Sequence, residues 1–214
     1  MEVKYWSDFA CPFCYIGSTR FKRVLKDLGI GDVELEFKSF QLDPDAPSET
    51  SDSYLDHFTH GIKELEPRAK ARMVNITNMA KEENLDFNLD QVVPTNTMDA
   101  HRLLKLAQSK NNSQLTENLI QSFYRIYFTD GKSIADHNVL KEVALAVGLN
   151  EKEIDDVLSS DKFKDAVLAD RTELQDLGVQ GVPFFVINNK YAISGAQPYE
   201  VFVNALNKIK SEEN

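Results

Sequence analysis

The sequence predicts an α/β fold in which a small sheet is interrupted by a large helical insertion, and three observations predict it. The chain opens with a strand, helix, strand unit. A long stretch follows whose apolar residues recur with helical spacing. The chain then closes with a short, fully apolar run, a second strand and an amphipathic helix.

In the opening unit, residues 2 to 6 have strand character, and Val33, Leu35 and Phe37 alternate with Glu34, Glu36 and Lys38, the period-two pattern of a strand with one buried face. Between them Pro12 to Leu28 reads as a helix stopped at Gly29, about the length that a right-handed parallel crossover needs. From Pro44 to Leu177 the pattern turns helical. Pro67 stands at a first-turn position ahead of Met73, Ile76 and Ala80, and Leu115, Leu119, Ile120, Phe123, Tyr124 and Tyr127 form one stripe. Further on, Asp136 precedes a run closed by Gly148, Asn150 with Glu153 resembles a capping box, and Phe163, Val167, Leu168 and Leu174 mark a helix stopped at Gly178. Phe184 to Ile187 suits a buried strand, Asn188-Asn189 a turn, and Tyr191 with Ile193 a second strand. Pro198 opens a last helix with Phe202, Ala205, Leu206 and Ile209 on one face. The expected division is residues 1–43 with 178–214 as one domain and 44–177 as the insertion, with disorder confined to the ends, chiefly Lys210 to Asn214.

A formal net charge of -10 argues against nucleic acid and anionic membrane surfaces as partners, since both require clustered Lys and Arg. No long apolar stretch and no signal-like segment is present, so a cytoplasmic location is expected. Two cysteines three residues apart cannot make a secreted-type disulfide scaffold, which uses more cysteines at wider spacing. Half of a zinc site is the competing reading. The remaining ligand candidates, His57, His60, His101 and His137, form no second pair at finger spacing, and no metal is expected.

Cys11-Pro12-Phe13-Cys14 falls where the first strand hands over to the first helix, with Pro12 at the first helical position. Cys11 then meets the unpaired N–H groups and positive end of the helix dipole, which favour a thiolate, and Cys14 lies one turn in on the same side. This assigns attack to Cys11 and resolution of the mixed disulfide to Cys14. Pro12-Phe13 brings no cation, so a weaker thiolate stabilisation is expected than a His at position 13 would give. Val182-Pro183, between Gly178, Gly181 and a buried strand, reads either as a cis X-Pro turn or as a trans proline at a strand entry.

Four motifs carry a resemblance across nearly the whole chain: Trp6 through Gly17, Asn96-Thr97 with Ala100-His101-Arg102-Leu103, Gly178 through Val186, and Ser194-Gly195-Ala196-Gln197-Pro198. In these the chain resembles the DsbA-like thioredoxin-fold oxidoreductases, and among them the FrnE-like branch, related to 2-hydroxychromene-2-carboxylate isomerase and kappa-class glutathione transferases. The resemblance implies a thioredoxin-like fold with a helical insertion between the second strand and the cis-Pro strand. It also implies that Pro183 is cis and packs against the Cys11 sulfur, helping keep metal away, while the Val182 backbone pairs with an extended substrate. Phe13 stands where members carry His or Trp, so redox poise does not transfer. The glutathione-using relatives have Ser in the place of Cys11, and retention of both thiols favours disulfide chemistry.

The expected function is thiol-disulfide exchange or disulfide isomerisation on protein thiols and disulfides. Cys11 and Cys14 are catalytic, and Pro12, Phe13, Val182 and Pro183 face the substrate. No cofactor is expected beyond the Cys11–Cys14 disulfide itself, with glutathione as candidate reductant and a homodimer as candidate assembly. The alternatives are a glutathione-dependent isomerase or transferase of a small aromatic molecule, and a non-enzymatic chaperone or binding module. Asp8 reads as a cap rather than a proton relay, and His101 as a structural group. Trp6 and Phe9 are offered both a substrate patch and the core.

Overall fold

The computed structural model describes residues 1–31 and 33–213, with the side chain of residue 213 outside the description. Strand β1 (Glu2–Ser7) leads into helix α1 (Pro12–Asp27) and strand β2 (Glu34–Ser39), and the two strands pair in parallel. Strands β3 (Phe184–Ile187) and β4 (Tyr191–Ser194) complete the sheet in the order β2-β1-β3-β4, with β3 antiparallel to both neighbours. The Asn188-Asn189 turn takes left-handed backbone at both residues, φ 50° and 53°, as a tight hairpin requires. Between β2 and β3 run α2 (Tyr54–Thr59), α3 (Glu66–Lys81), α4 (Met98–Gln108), α5 (Ser113–Phe128), α6 (His137–Ala146), α7 (Glu151–Leu158) and α8 (Lys164–Asp176). Helix α9 (Tyr199–Glu213) ends the fold. This is the α/β thioredoxin-like fold with a helical insertion between β2 and β3. Among the described residues no helix is long and apolar enough to cross a membrane.

Alternation along β1 sorts its side chains between two packing clusters. Val3 and Tyr5 join Phe37 of β2, Phe185 of β3, Phe21 of α1 and Phe202 of α9 in the main core, which continues into Phe123, Tyr124 and Phe128 of α5. Trp6 packs in the second cluster with Phe40, Leu174 of α8 and Phe184. The opposite face of β2 is therefore solvated only in part: Glu34 is exposed as the alternation predicts, but the Lys38 end is covered. Helix α8 packs over that end, and Asp170 ion-pairs with Lys38 at 3.3 Å and with Lys105 of α4.

Several signals act where the sequence puts them and others differ. Asp136 caps α6 through the Asn138 N–H, and Asn150 caps α7 through the N–H groups of Lys152 and Glu153. The Glu153 carboxylate completes no box there; it accepts from Lys110 instead. A reciprocal box forms at α2, between Ser53 and Asp56. The expected disorder from Lys210 is corrected as far as the description reaches, because α9 continues to Glu213, held by Phe202, Leu206 and Ile209 buried against the sheet. Asn214 lies outside the described residues.

Candidate active site at the dithiol turn

Ser7 ends β1, and residues 8 to 11 turn the chain into α1. The turn is closed by Cys11 N–H donating to the Asp8 carbonyl at 3.1 Å. Cys11 is the N-cap of α1 with extended backbone, and its sulfur accepts the Cys14 N–H at 3.3 Å, while Pro12 occupies the first turn, where its missing N–H leaves nothing unpaired. The sequence thus puts a sulfur where helices usually place an oxygen cap. Both cysteines are free thiols; Cys11 is 3% exposed and Cys14 is wholly buried.

The two sulfurs are unlike. Burial pushes the Cys14 thiol well above its usual pKa, and Cys11 pushes it the same way, while the neighbouring Asp8 backbone and Ser7 side chain oppose them. Cys14 is therefore a protonated thiol at neutral pH. Facing Cys11 across the turn, the Val182 carbonyl oxygen lies 3.9 Å from its sulfur, and the Val182-Pro183 peptide is cis. Gly17 makes that approach close. A Cβ there would lie 3.1 Å from Pro183 Cγ and 3.2 Å from Ala196, so a bare Cα lets α1 and the Pro183 turn touch.

Asp8 and His101, 93 residues apart, meet at this turn. His101 Nε2 lies 3.2 Å from Asp8 Oδ1, while Asp8 Oδ2 accepts Leu42 N–H at 2.8 Å and Oδ1 accepts Ala10 N–H at 3.4 Å. Both are buried, and the His101 ring packs 4.9 Å from Phe9 with its Nδ1 unpartnered among the described residues. Asp8 does cap the turn, and it also holds an imidazole, which the turn reading alone does not include. Trp6 and Phe9 belong to the core, with Trp6 donating its indole N–H to the Asp170 carbonyl at 2.8 Å.

The insertion supplies groups that spacing did not reveal. Arg72 of α3 lies 4.8 Å from the Phe58 ring and 6.0 Å from the Phe13 ring. A cation therefore stands beside the dipeptide even though Pro12-Phe13 contains none. Tyr54 lines a cleft of about 120 Å³ with Asp8, Ala10, His57, Thr97 and Tyr127. Burial, then Tyr127 and Cys11, push its phenol well above the usual range. No local pattern could have announced these neighbours, since α2 and α3 reach the turn only through the packing of the insertion. Among the described residues no group of three or more His, Cys, Asp or Glu could hold a metal ion.

Comparison with known proteins gives this geometry a setting. Residues 2–207 match the family model of the DSBA-like thioredoxin domain. The chain is 37% identical to the probable DsbA oxidoreductase SCO1869 of Streptomyces coelicolor, with a TM-score of 0.91 over 99% of this chain and 91% of that one. It is 25% identical to the uncharacterised protein YwbO of Bacillus subtilis (strain 168) over 96% of each chain. A 2-hydroxychromene-2-carboxylate isomerase shares the fold at 13% identity, with a TM-score of 0.74 over 100% of this chain and 98% of that one.

Proposed function

From a chain that belongs to the DSBA-like thioredoxin domain family, we propose a thiol-disulfide oxidoreductase that exchanges disulfides with protein substrates through Cys11 and Cys14. The observation that carries the reading is the asymmetry of the two thiols. Cys11 caps the helix at the mouth of the turn, opposite Val182 and Pro183, and Cys14 is sealed beneath it. A thiolate attacks a disulfide, so the sulfur at the helix N-terminus forms the mixed disulfide. The buried sulfur then displaces the substrate, leaving Cys11 and Cys14 bridged.

Several supports converge on the substrate face. Phe13 is half-buried beside Arg72, which also lies over the Phe58 ring, and this offers apolar surface and a cation to an incoming chain. On this reading the Val182 backbone, beside a proline that cannot donate, pairs with an extended segment lying across Cys11. Glutathione is the reductant this reading expects, in a cytoplasmic setting where thiols are kept reduced.

Equilibration of the protein in glutathione buffers, followed by thiol content, tests the proposal. A reversible two-electron couple within the roughly -270 to -120 mV span of thioredoxin-like proteins supports exchange, and its position separates reductant from oxidant. A chain with no reversible couple, or one whose Cys14→Ser form titrates identically, is not an oxidoreductase.

A further inference from the structure

The cleft beside the dithiol turn takes no part in the exchange chemistry above, and its lining is one-sided in charge. Buried Asp8 and exposed Asp43 and Asp52 line it, and no lysine or arginine does. Among the described residues none of the three acids is ion-paired with a lysine or arginine; Asp8 meets only His101. The imidazole on the lining, His57, does not offset them. Partial burial lowers its pKa against the opposing pull of Asp43, so the ring is neutral at neutral pH.

Acids alone mark no site, since solvated carboxylates commonly bind nothing. A second observation points into the cleft. Tyr54 lines it and is 3% exposed, and its hydroxyl has no hydrogen-bond partner among the described residues. A buried hydroxyl is seldom left so. The wall of residues 42–52 is moreover fixed in place. Leu42 N–H donates to Asp8 Oδ2 at 2.8 Å, and Asn96, just before α4, pins the rest. Its N–H donates to the Pro47 carbonyl at 2.9 Å, and its side-chain amide to the carbonyls of Pro44 at 3.0 Å and Ala46 at 3.1 Å. The cleft therefore has its shape before a ligand enters.

We infer that this cleft is a specificity subsite for a cation carried by the disulfide substrate, an ammonium or guanidinium on an apolar stem. This rests on the disulfide-exchange reading above. Asp8 and Ala10 of the lining belong to the turn that carries Cys11, whose N–H donates to the Asp8 carbonyl, so the subsite adjoins the attacking sulfur. The carboxylates supply charge, and the Tyr54 oxygen accepts one N–H of the cation. Leu42, Ala46 and Pro47 pack along the stem. At about 120 Å³ the cleft is small beside the roughly 300–1,000 Å³ pockets of drug-sized ligands, and it admits a single side chain or a small amine.

The test mixes reduced protein with disulfide-bonded peptides that differ in one residue beside the cysteine: lysine, norleucine or glutamate. Loss of protein thiols gives the rate constant as the peptide disulfide is reduced to two thiols and Cys11 and Cys14 become bridged. The lysine peptide is expected to react about tenfold faster than the norleucine peptide, and the glutamate peptide slower than both. Cystamine against uncharged hydroxyethyl disulfide puts the same question to a small substrate. Preference among the peptides supports the subsite with a side chain as its occupant, and preference confined to cystamine supports it with a small amine. Because a net charge of -10 attracts any cation, Asp52→Asn is compared with Asp176→Asn, which removes one charge from an exposed position outside the cleft. Asp52→Asn should lower the preference about threefold and Tyr54→Phe about twofold, while Asp176→Asn leaves it nearly unchanged. Equal rates across both series, or an equal fall in the two Asp variants, overturns the subsite and leaves exchange standing. A protein that reduces none of these disulfides overturns the exchange reading and the subsite with it.

Discussion

Asp8 and Asp170 are both buried carboxylates beside the sheet, and they are neutralised in different ways. Asp170 accepts the Ser39 N–H at 2.7 Å and ion-pairs with Lys38 and Lys105, while its carbonyl takes the Trp6 indole N–H. It ties α8 to β1, β2 and α4. Among the described residues Asp8 pairs with no lysine or arginine; it has two backbone N–H groups and one imidazole. Its partners within the turn that carries Cys11 are thus N–H groups and an imidazole rather than fixed cations. The difference teaches that burial of an acid marks no single role. An acid matched by cations is a clamp, and an acid left to N–H groups beside a nucleophile sets the field in which that nucleophile works.

The largest effect is expected at the clamp. Asp170→Asn leaves Lys38 and Lys105 without their shared anion and should cost about 3 kcal/mol, seen as a fall in Tm of roughly 6 to 12 °C. Exchange per folded molecule should stay within about twofold, and a larger loss would break the comparison. On the dithiol side, Gly17→Ala should destabilise by about 1 to 2 kcal/mol and slow exchange, because the new Cβ presses on Pro183 and Ala196. An exposed helical Gly→Ala would instead stabilise by about 1 kcal/mol, so a gain in Tm at Gly17 would show that the close approach is not needed.

Asp8→Asn sharpens the contrast further. Removing its charge favours the thiolate of the reduced form, so the reduction potential should rise by about 30 mV, while Tm moves by less than for Asp170→Asn. An unchanged potential would place Asp8 with the clamps. The last prediction concerns pH dependence at Glu83, buried between Arg20 at 2.5 Å and Arg23 at 2.8 Å. Burial raises its pKa, but the two guanidiniums outweigh burial and hold it below the usual carboxylate range. A folded pKa below the unfolded one stabilises the protein above the unfolded value of about 4.3, and that stability is lost as pH falls through the folded value. Acid unfolding curves should therefore become flatter in this range in Glu83→Gln.

The strand, helix, strand opening and the dithiol at its corner were legible because each is a local pattern: alternation, a proline at the first helical turn, and two cysteines one turn apart. The closing hairpin was legible from Asn188-Asn189 for the same reason. Helix α8 was legible as a helix, yet its docking on β2 was not, since Lys38 reads as a solvated residue until Asp170, 132 positions later, is brought against it. The same holds at the site. Asp8 sees His101 across 93 residues and Phe13 meets Arg72 across the insertion, and nothing in the spacing of either pair encodes the meeting. Cap and turn chemistry is written locally; electrostatic surroundings are written by the packing of elements far apart in the chain.

The most direct measurement is a trap. Cys14→Ser protein, incubated with a disulfide-bonded model peptide and analysed by intact and peptide-level mass spectrometry, should accumulate one mixed disulfide on Cys11, and Cys11→Ser should accumulate none. Adducts carried by Cys14 in the Cys11→Ser form, or no adduct in the Cys14→Ser form, would contradict the assignment of attack to Cys11 and resolution to Cys14.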